Sequence, residues 1–277
     1  MGSTVTLLDG PMGTELSARG VDTALPLWSA RALRDAPHVV SSIHQQYAAA
    51  GATIHTANTF RTKRRNLGSS WEAQTHLAVS LARNAIPAEH RVAGSIAPLE
   101  DCYRPDLSPR DARHEHREMA RALARASCDL LLCETFPHVG EALVATEEAV
   151  ATGLPTWVSF TAGPNADLLS PDEVARAAER ALGLGATAVL VNCIPAVAVL
   201  PFVVALCSVA PRVGAYGNAG RPHDRIGWAS GTSLPEGPAR HAELALGWIA
   251  AGCRIVGACC GTGPAHIAEL RQRLTDS

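Results

Sequence analysis

Apolar runs of five to eight residues punctuate the chain: VTLLD (5–9), ATIHTA (52–57), RVAGSI (91–96), CDLLLCE (128–134), TWVSFT (156–161), ATAVLVNC (186–193), RVGAYG (212–217) and CRIVGACC (253–260). Each predicts a strand covered on both faces, because near-continuous apolar runs mark buried parallel sheet more than one-sided sheet. Helical signals lie between many of them. Val39, Val40, Ile43, Tyr47 and Ala50 recur at three-to-four spacing before Gly51 stops the pattern. Ser170-Pro171-Asp172-Glu173 offers a serine N-cap with proline in the first helical position, and a final helix begins at Pro264. Eight strands alternating with helices favour a single (β/α)8 TIM barrel over an open doubly wound sheet. No linker or low-complexity segment divides it, so one domain spanning 1–277 is expected.

The stretch 181–211 carries no charge, yet Asn192, Pro195 and Pro201 interrupt it, which fits a buried strand and its covering helix better than a membrane span. A net charge of -2 and a pI near 6.6 leave no basic field for nucleic acid or anionic lipid, so the expected partner is a small molecule. The eight cysteines are spread over 102–260 without the density of a disulfide scaffold, and no cleavable signal opens the chain. A reducing cytoplasm is the expected setting. Nothing in the sequence sets an oligomeric state.

In such a barrel the C-terminal ends of the strands converge on one mouth, where chemistry is done. Read in order, those ends carry Asp9-Gly10, Asn58-Thr59, Ser95, Glu134-Thr135, Thr161, Asn192-Cys193, Tyr216 with Asn218, and Cys259-Cys260. Three sulfurs, Cys193 from strand six and the pair from strand eight, can thus face one point. They suit zinc, which is tetrahedral, accepts sulfur at about 2.3 Å and keeps one position open when catalytic. Gly261 and Gly263 supply the freedom to turn adjacent thiols to one side. The plainer reading is three buried apolar cysteines. That reading is the expected one for Cys102, Cys128, Cys133, Cys207 and Cys253. His114 and His116, two apart on a predicted helix, read as a solvated face. Gly183-Leu184-Gly185 precedes a strand and reads as a turn, not a dinucleotide site, while the amides of Gly261-Thr262-Gly263-Pro264 are candidates to cradle an anion.

DGPMGTEL (9–16), TANTFR (56–61), CETFP (133–137), VNC (191–193), YGNAG (216–220) and GACCGTGPAHI (257–267) together resemble the homocysteine S-methyltransferase family, in the same order and at strand ends along the whole chain. The resemblance implies a zinc-dependent barrel enzyme that moves a methyl group from a small-molecule donor to a thiol acceptor. It implies that Cys193, Cys259 and Cys260 hold zinc, and that Glu134 receives the acceptor's ammonium, aided by Asp9. The Gly10 amide would meet the acceptor's carboxylate, Trp28 and Arg61 would shape the methyl-donor pocket, and Asn218 would lie beside the metal. The implied catalytic set is Cys193, Cys259, Cys260 and Glu134.

Pro11 stands where relatives often have a second glycine and removes an amide donor. Ala258 replaces a common glycine, and the segment 94–109 departs from the glycine-rich version of several methylases at a place that borders the donor. A sulfonium donor, S-methylmethionine or S-adenosylmethionine, suits a compact chain, with L-homocysteine as acceptor and methionine as product. Betaine as donor, or selenocysteine or another small thiol as acceptor, would meet the same residues. From other classes, a zinc hydrolase lacks its usual histidine and carboxylate ligands at the strand ends, and a non-catalytic zinc-binding barrel would use the cysteines structurally.

Overall fold

The computed structural model describes residues 5–227 and 236–276. Eight strands appear in the expected order: β1 (Thr6–Leu7), β2 (Ile54–Thr56), β3 (Arg91–Ile96), β4 (Leu130–Phe136), β5 (Thr156–Phe160), β6 (Ala188–Pro195), β7 (Val213–Asn218) and β8 (Ile255–Val256). All pair in parallel, each with its sequence neighbour, and β1 pairs with β8. A Leu8–Ile54 bridge joins β1 to β2 and brings the sheet round into a barrel.

Helices cover the outside. The β1–β2 connection holds α1 (Met12–Ala18), α2 (Ala32–Asp35) and α3 (Pro37–Ala49), and α4 (Arg64–Leu67) and α5 (Trp71–Ala85) follow β2. After them come α6 (Arg113–Arg125), α7 (Val139–Val150), α8 (Pro171–Gly183), α9 (Val199–Cys207), α10 (Glu236–Ala250) and α11 (Pro264–Thr275). Ser170 caps α8 in a reciprocal capping box with Glu173, as its sequence promised. The uncharged stretch resolves into β6 and α9. Among the described residues no helix is long and apolar enough to cross a membrane.

β8 and β1 are the most shortened against their apolar runs. The run at 253–260 pairs as a strand only through Val256, and Gly257 then passes so close to the chain after β1 that a Cβ there would sit 2.7 Å from that of Leu8. Its continuation still bonds to its neighbours, Ala258 N to Asp9 O (3.3 Å) and Cys259 N to Gly217 O (2.9 Å). The first run likewise pairs as a strand only over Thr6–Leu7.

Side-chain alternation sets what lies inside. Ala93, Leu130, Leu132, Trp157, Ala188, Leu190 and Ile255 form one apolar cluster within the barrel. Continuing the same period of two brings Ser95, Glu134, Ser159, Asn192 and Tyr216 inward, and these form a polar layer above that plug. A second, larger apolar layer lies between sheet and helices.

The expected solvated face at His114 and His116 holds only for His114. His116 is 1% exposed, because it extends the inner stripe of α6 that continues through Met119, Ala120 and Leu123.

Candidate active site

At the C-terminal mouth lies a cavity of about 660 Å³ whose walls include every residue to which the resemblance gave a role: Asp9, Gly10, Trp28, Arg61, Glu134, Cys193, Asn218, Cys259 and Cys260. The three sulfurs lie within 4.8 Å of one another, with Cys193 and Cys260 at 4.0 Å. None of the three is in a disulfide.

Cys193 does not end its strand. β6 runs on to Pro195, but Cys193 takes a left-handed conformation (φ 55°), and pairing with β7 shifts register between Asn192 and Pro195. This kink turns the thiol towards the pair beyond β8, a turn that alternation alone would not give. Asn218 Nδ2 steadies it by donating to the Cys193 carbonyl (3.0 Å), while Asn218 Oδ1 accepts from Gly220 N (2.8 Å). Beyond β8, Gly261 at φ 80° supplies the expected left-handed turn, whereas Gly263 is extended. Hydrogen bonds from the Cys259 and Cys260 thiols hold the Cys193 thiol well below the usual range, and the donors are raised in turn.

Glu134 belongs to the inner polar layer. Its carboxylate accepts from Ser95 Oγ (2.5 Å) and Tyr216 OH (2.9 Å), and burial pushes its pKa up to about 7. Thr135 repeats the left-handed kink (φ 62°) beside it, at a register shift between β4 and β5. Asn192 joins the two kinked strands: its Oδ1 accepts from Thr135 N (3.1 Å) and Ser159 Oγ (2.7 Å), and its Nδ2 donates to Thr135 Oγ1 (2.8 Å). Asn192→Ala strands these buried groups and should cost about 2–3 kcal/mol in urea denaturation. A loss under about 0.5 kcal/mol would show that Asn192 does not tie the strands.

Asp9 accepts from Thr56 N (2.8 Å) and Thr56 Oγ1 (3.1 Å), and burial raises its pKa well above the usual range. Gly10 admits no side chain, since a Cβ would meet the Tyr47 hydroxyl at 2.6 Å. Trp28 packs edge-on against Phe60 at 5.5 Å, and Arg61 lies over the same phenyl ring at 5.7 Å.

The expected anion cradle is not available. Gly261 N donates to Thr14 Oγ1 (3.3 Å), Thr262 N to Cys259 O (3.3 Å) and Gly263 N to His266 Nδ1 (3.1 Å), so these amides are already satisfied inside the protein.

Sequence reasoning missed three groups. Tyr103 reaches over the cysteines with its hydroxyl 3.0 Å from Cys193 Sγ, and Cys102 beside it lines the cavity. The only sequence signal was that 94–109 departs from the family pattern. Asp9, His44 and His55 form a second group whose ligand atoms lie within 4.8 Å and which could hold a metal ion. Burial lowers His44 to about 4 and His55 to about 3, which keeps both rings neutral. These two histidines come from α3 and β2, so no linear spacing announces them.

The homocysteine S-methyltransferase family model matches residues 6–274. The chain is 33% identical to the homocysteine S-methyltransferase of Escherichia coli (strain K12), across 97% of this chain and 95% of that protein. It is 27% identical to the selenocysteine Se-methyltransferase of Brassica oleracea var. italica, across 97% and 88%. Among solved structures, the metallated form of the homocysteine methyltransferase MmuM from Escherichia coli superposes with a TM-score of 0.81 at 27% identity, covering 98% of this chain and 97% of that one.

Proposed function

The chain belongs to the homocysteine S-methyltransferase family and is an enzyme of that type, and we propose that it moves a methyl group from a sulfonium donor, S-methylmethionine or S-adenosylmethionine, to the thiol of L-homocysteine, giving methionine. In this reading the chain works in the cytoplasm as one barrel domain, 1–277, with zinc held by Cys193, Cys259 and Cys260. The observation that carries it is the convergence of three thiols, none in a disulfide, within 4.8 Å of one another on a cavity also lined by the buried carboxylates of Asp9 and Glu134.

The donor set fits zinc: three soft sulfurs, one already biased towards thiolate, and no fourth cysteine within the group. When bound there, zinc supplies the Lewis acidity that keeps an acceptor thiol deprotonated near neutral pH. The other terms belong to the protein. Glu134, fixed by Ser95 and Tyr216, takes the acceptor's ammonium, and Asp9 adds a second carboxylate. Gly10 offers its amide to the carboxylate, and Pro11 offers none. Trp28 and Arg61 wall the donor side, with Phe60 packed against both and its face taken by the Arg61 guanidinium, so that the Trp28 indole is the aromatic group left to meet a sulfonium cation. Asn218 holds the Cys193 backbone and so the direction of its thiol. Fixing both reactants in this way would contribute orientation as well as nucleophile activation.

The similarity to a selenocysteine Se-methyltransferase supports a second reading in which the acceptor is a selenol. The deciding experiment measures metal content and offers homocysteine and selenocysteine with S-methylmethionine, S-adenosylmethionine and betaine in turn. One zinc per chain with methionine formed from a sulfonium is the expected result. Transfer from betaine alone would overturn the donor assignment, and transfer to selenocysteine alone the acceptor assignment. Zinc without transfer to any acceptor would favour a structural metal.

A further inference from the structure

The segment between β3 and α6 leaves the barrel, crosses the cavity mouth and returns. Both ends of this excursion close on a single side chain. Leu99 N donates to Glu141 Oε1 (2.7 Å) where the segment departs, and Ser108 Oγ donates to Glu141 Oε2 (2.6 Å) where it comes back. His116 Nε2 from α6 lies 3.1 Å from Oε1, and Glu141 N donates to His138 Nδ1 (3.1 Å) at the start of α7. Glu141 and His116 are 3% and 1% exposed. A carboxylate this deep is costly unless its oxygens are well bonded, and here two of the bonds are spent on the neck of one loop. On the far side of the neck, buried Lys63 donates to the carbonyls of Pro98 and Leu99.

Between the ends, 99–108 forms a compact Ω-loop with its own turn: Tyr103 N donates to Asp101 Oδ1 (2.8 Å), and Arg104 N to Asp101 O (3.0 Å). Asp101, Cys102 and Tyr103 line the cavity, and Tyr103 sets its hydroxyl on Cys193. Glu141 itself is not among the cavity residues.

We infer that Glu141 is a positioning residue for methyl transfer, which clasps the neck of the 99–108 loop and thereby holds Tyr103 over the cysteine cluster as part of the donor wall. This rests on the methyl-transfer reading above. The wall so formed presents an aromatic ring and the Asp101 carboxylate, a surface suited to a cationic donor.

The test combines kinetics with proteolysis of the full-length protein. Glu141→Gln should raise the donor KM about tenfold while the acceptor KM and metal content stay within about twofold. Made in a Tyr103→Ala background, which already lacks the ring, the same substitution should cost less than about threefold, because its effect runs through Tyr103. Equal losses in both backgrounds, or an unchanged donor KM, would overturn the inference. Ser108→Ala opens one side of the neck without altering Glu141, and should shift the donor KM in the same direction even if Glu141→Gln folds poorly. Chymotryptic cleavage after Tyr103 reads the clasp without any turnover, and both variants should be cut there at least about fivefold faster than the parent. Unchanged cleavage would reject the clasp whatever the activity. A parent protein that transfers no methyl group would sink the functional reading separately.

Discussion

Replacing Cys193 with serine should abolish methyl transfer and remove most of the bound metal while leaving a folded barrel. Serine is a poor replacement for a soft thiolate, and two thiols alone make an incomplete site for zinc. Removing outer partners of a metal site usually costs about 10–100-fold, so losing a direct ligand should cost more than about a hundredfold. The fold should survive because the apolar plug lies below the site and Asn218 grips the backbone carbonyl of residue 193, not its sulfur. Cys259→Ser should behave alike. Metal analysis and turnover at saturating substrate check both variants. Full zinc with parental turnover in each would remove these residues from the site.

The second large effect is expected at Glu134. Glu134→Gln keeps the shape of the side chain but removes the charge that would meet the acceptor's ammonium. Hydrogen bonds to charged groups are worth about 1.5–3 kcal/mol, so the acceptor KM should rise about ten- to a hundredfold. Smaller changes are expected in kcat and donor KM. The same group predicts a pH dependence. With its pKa pushed up to about 7 by burial, Glu134 is ionised above that value and protonated below it. The acceptor's kcat/KM should therefore fall about tenfold from pH 8 to pH 6, and this limb should flatten in Glu134→Gln. An identical profile in the two proteins would assign the ionisation elsewhere, and an unchanged acceptor KM would reassign Glu134.

The barrel was legible in the sequence because its signals are local and repeated: β3 coincides with the run at 91–96, and α8 starts where Ser170 and Pro171 mark it. Glu134 and the cysteines were legible because strand ends are where a barrel gathers polar groups. The kinks at Thr135 and Cys193 were not, since neither residue is a glycine and their left-handed backbones are held by Asn192, two strands away from Thr135, and by Asn218 on the strand beside Cys193. The turn at 261–263 looked open to an anion because Thr14, the partner of the Gly261 amide, lies far away in the chain, and because a local carbonyl and the His266 ring take up the other two amides, which no motif announces. His116 was misplaced for a related reason: an apolar stripe can end in a histidine when a buried carboxylate from another helix awaits it.

The bonds that Asn192 makes to β4 and β5 are buried inside the barrel. The interval between Glu134 and Cys193 is therefore a built-in gauge, fixed before the chain reaches the cavity mouth. Lengthening or exchanging the segments around that mouth would change which donors enter without recalibrating the gauge. Evolution and engineering alike can alter the entrance while the measuring edge stays the same.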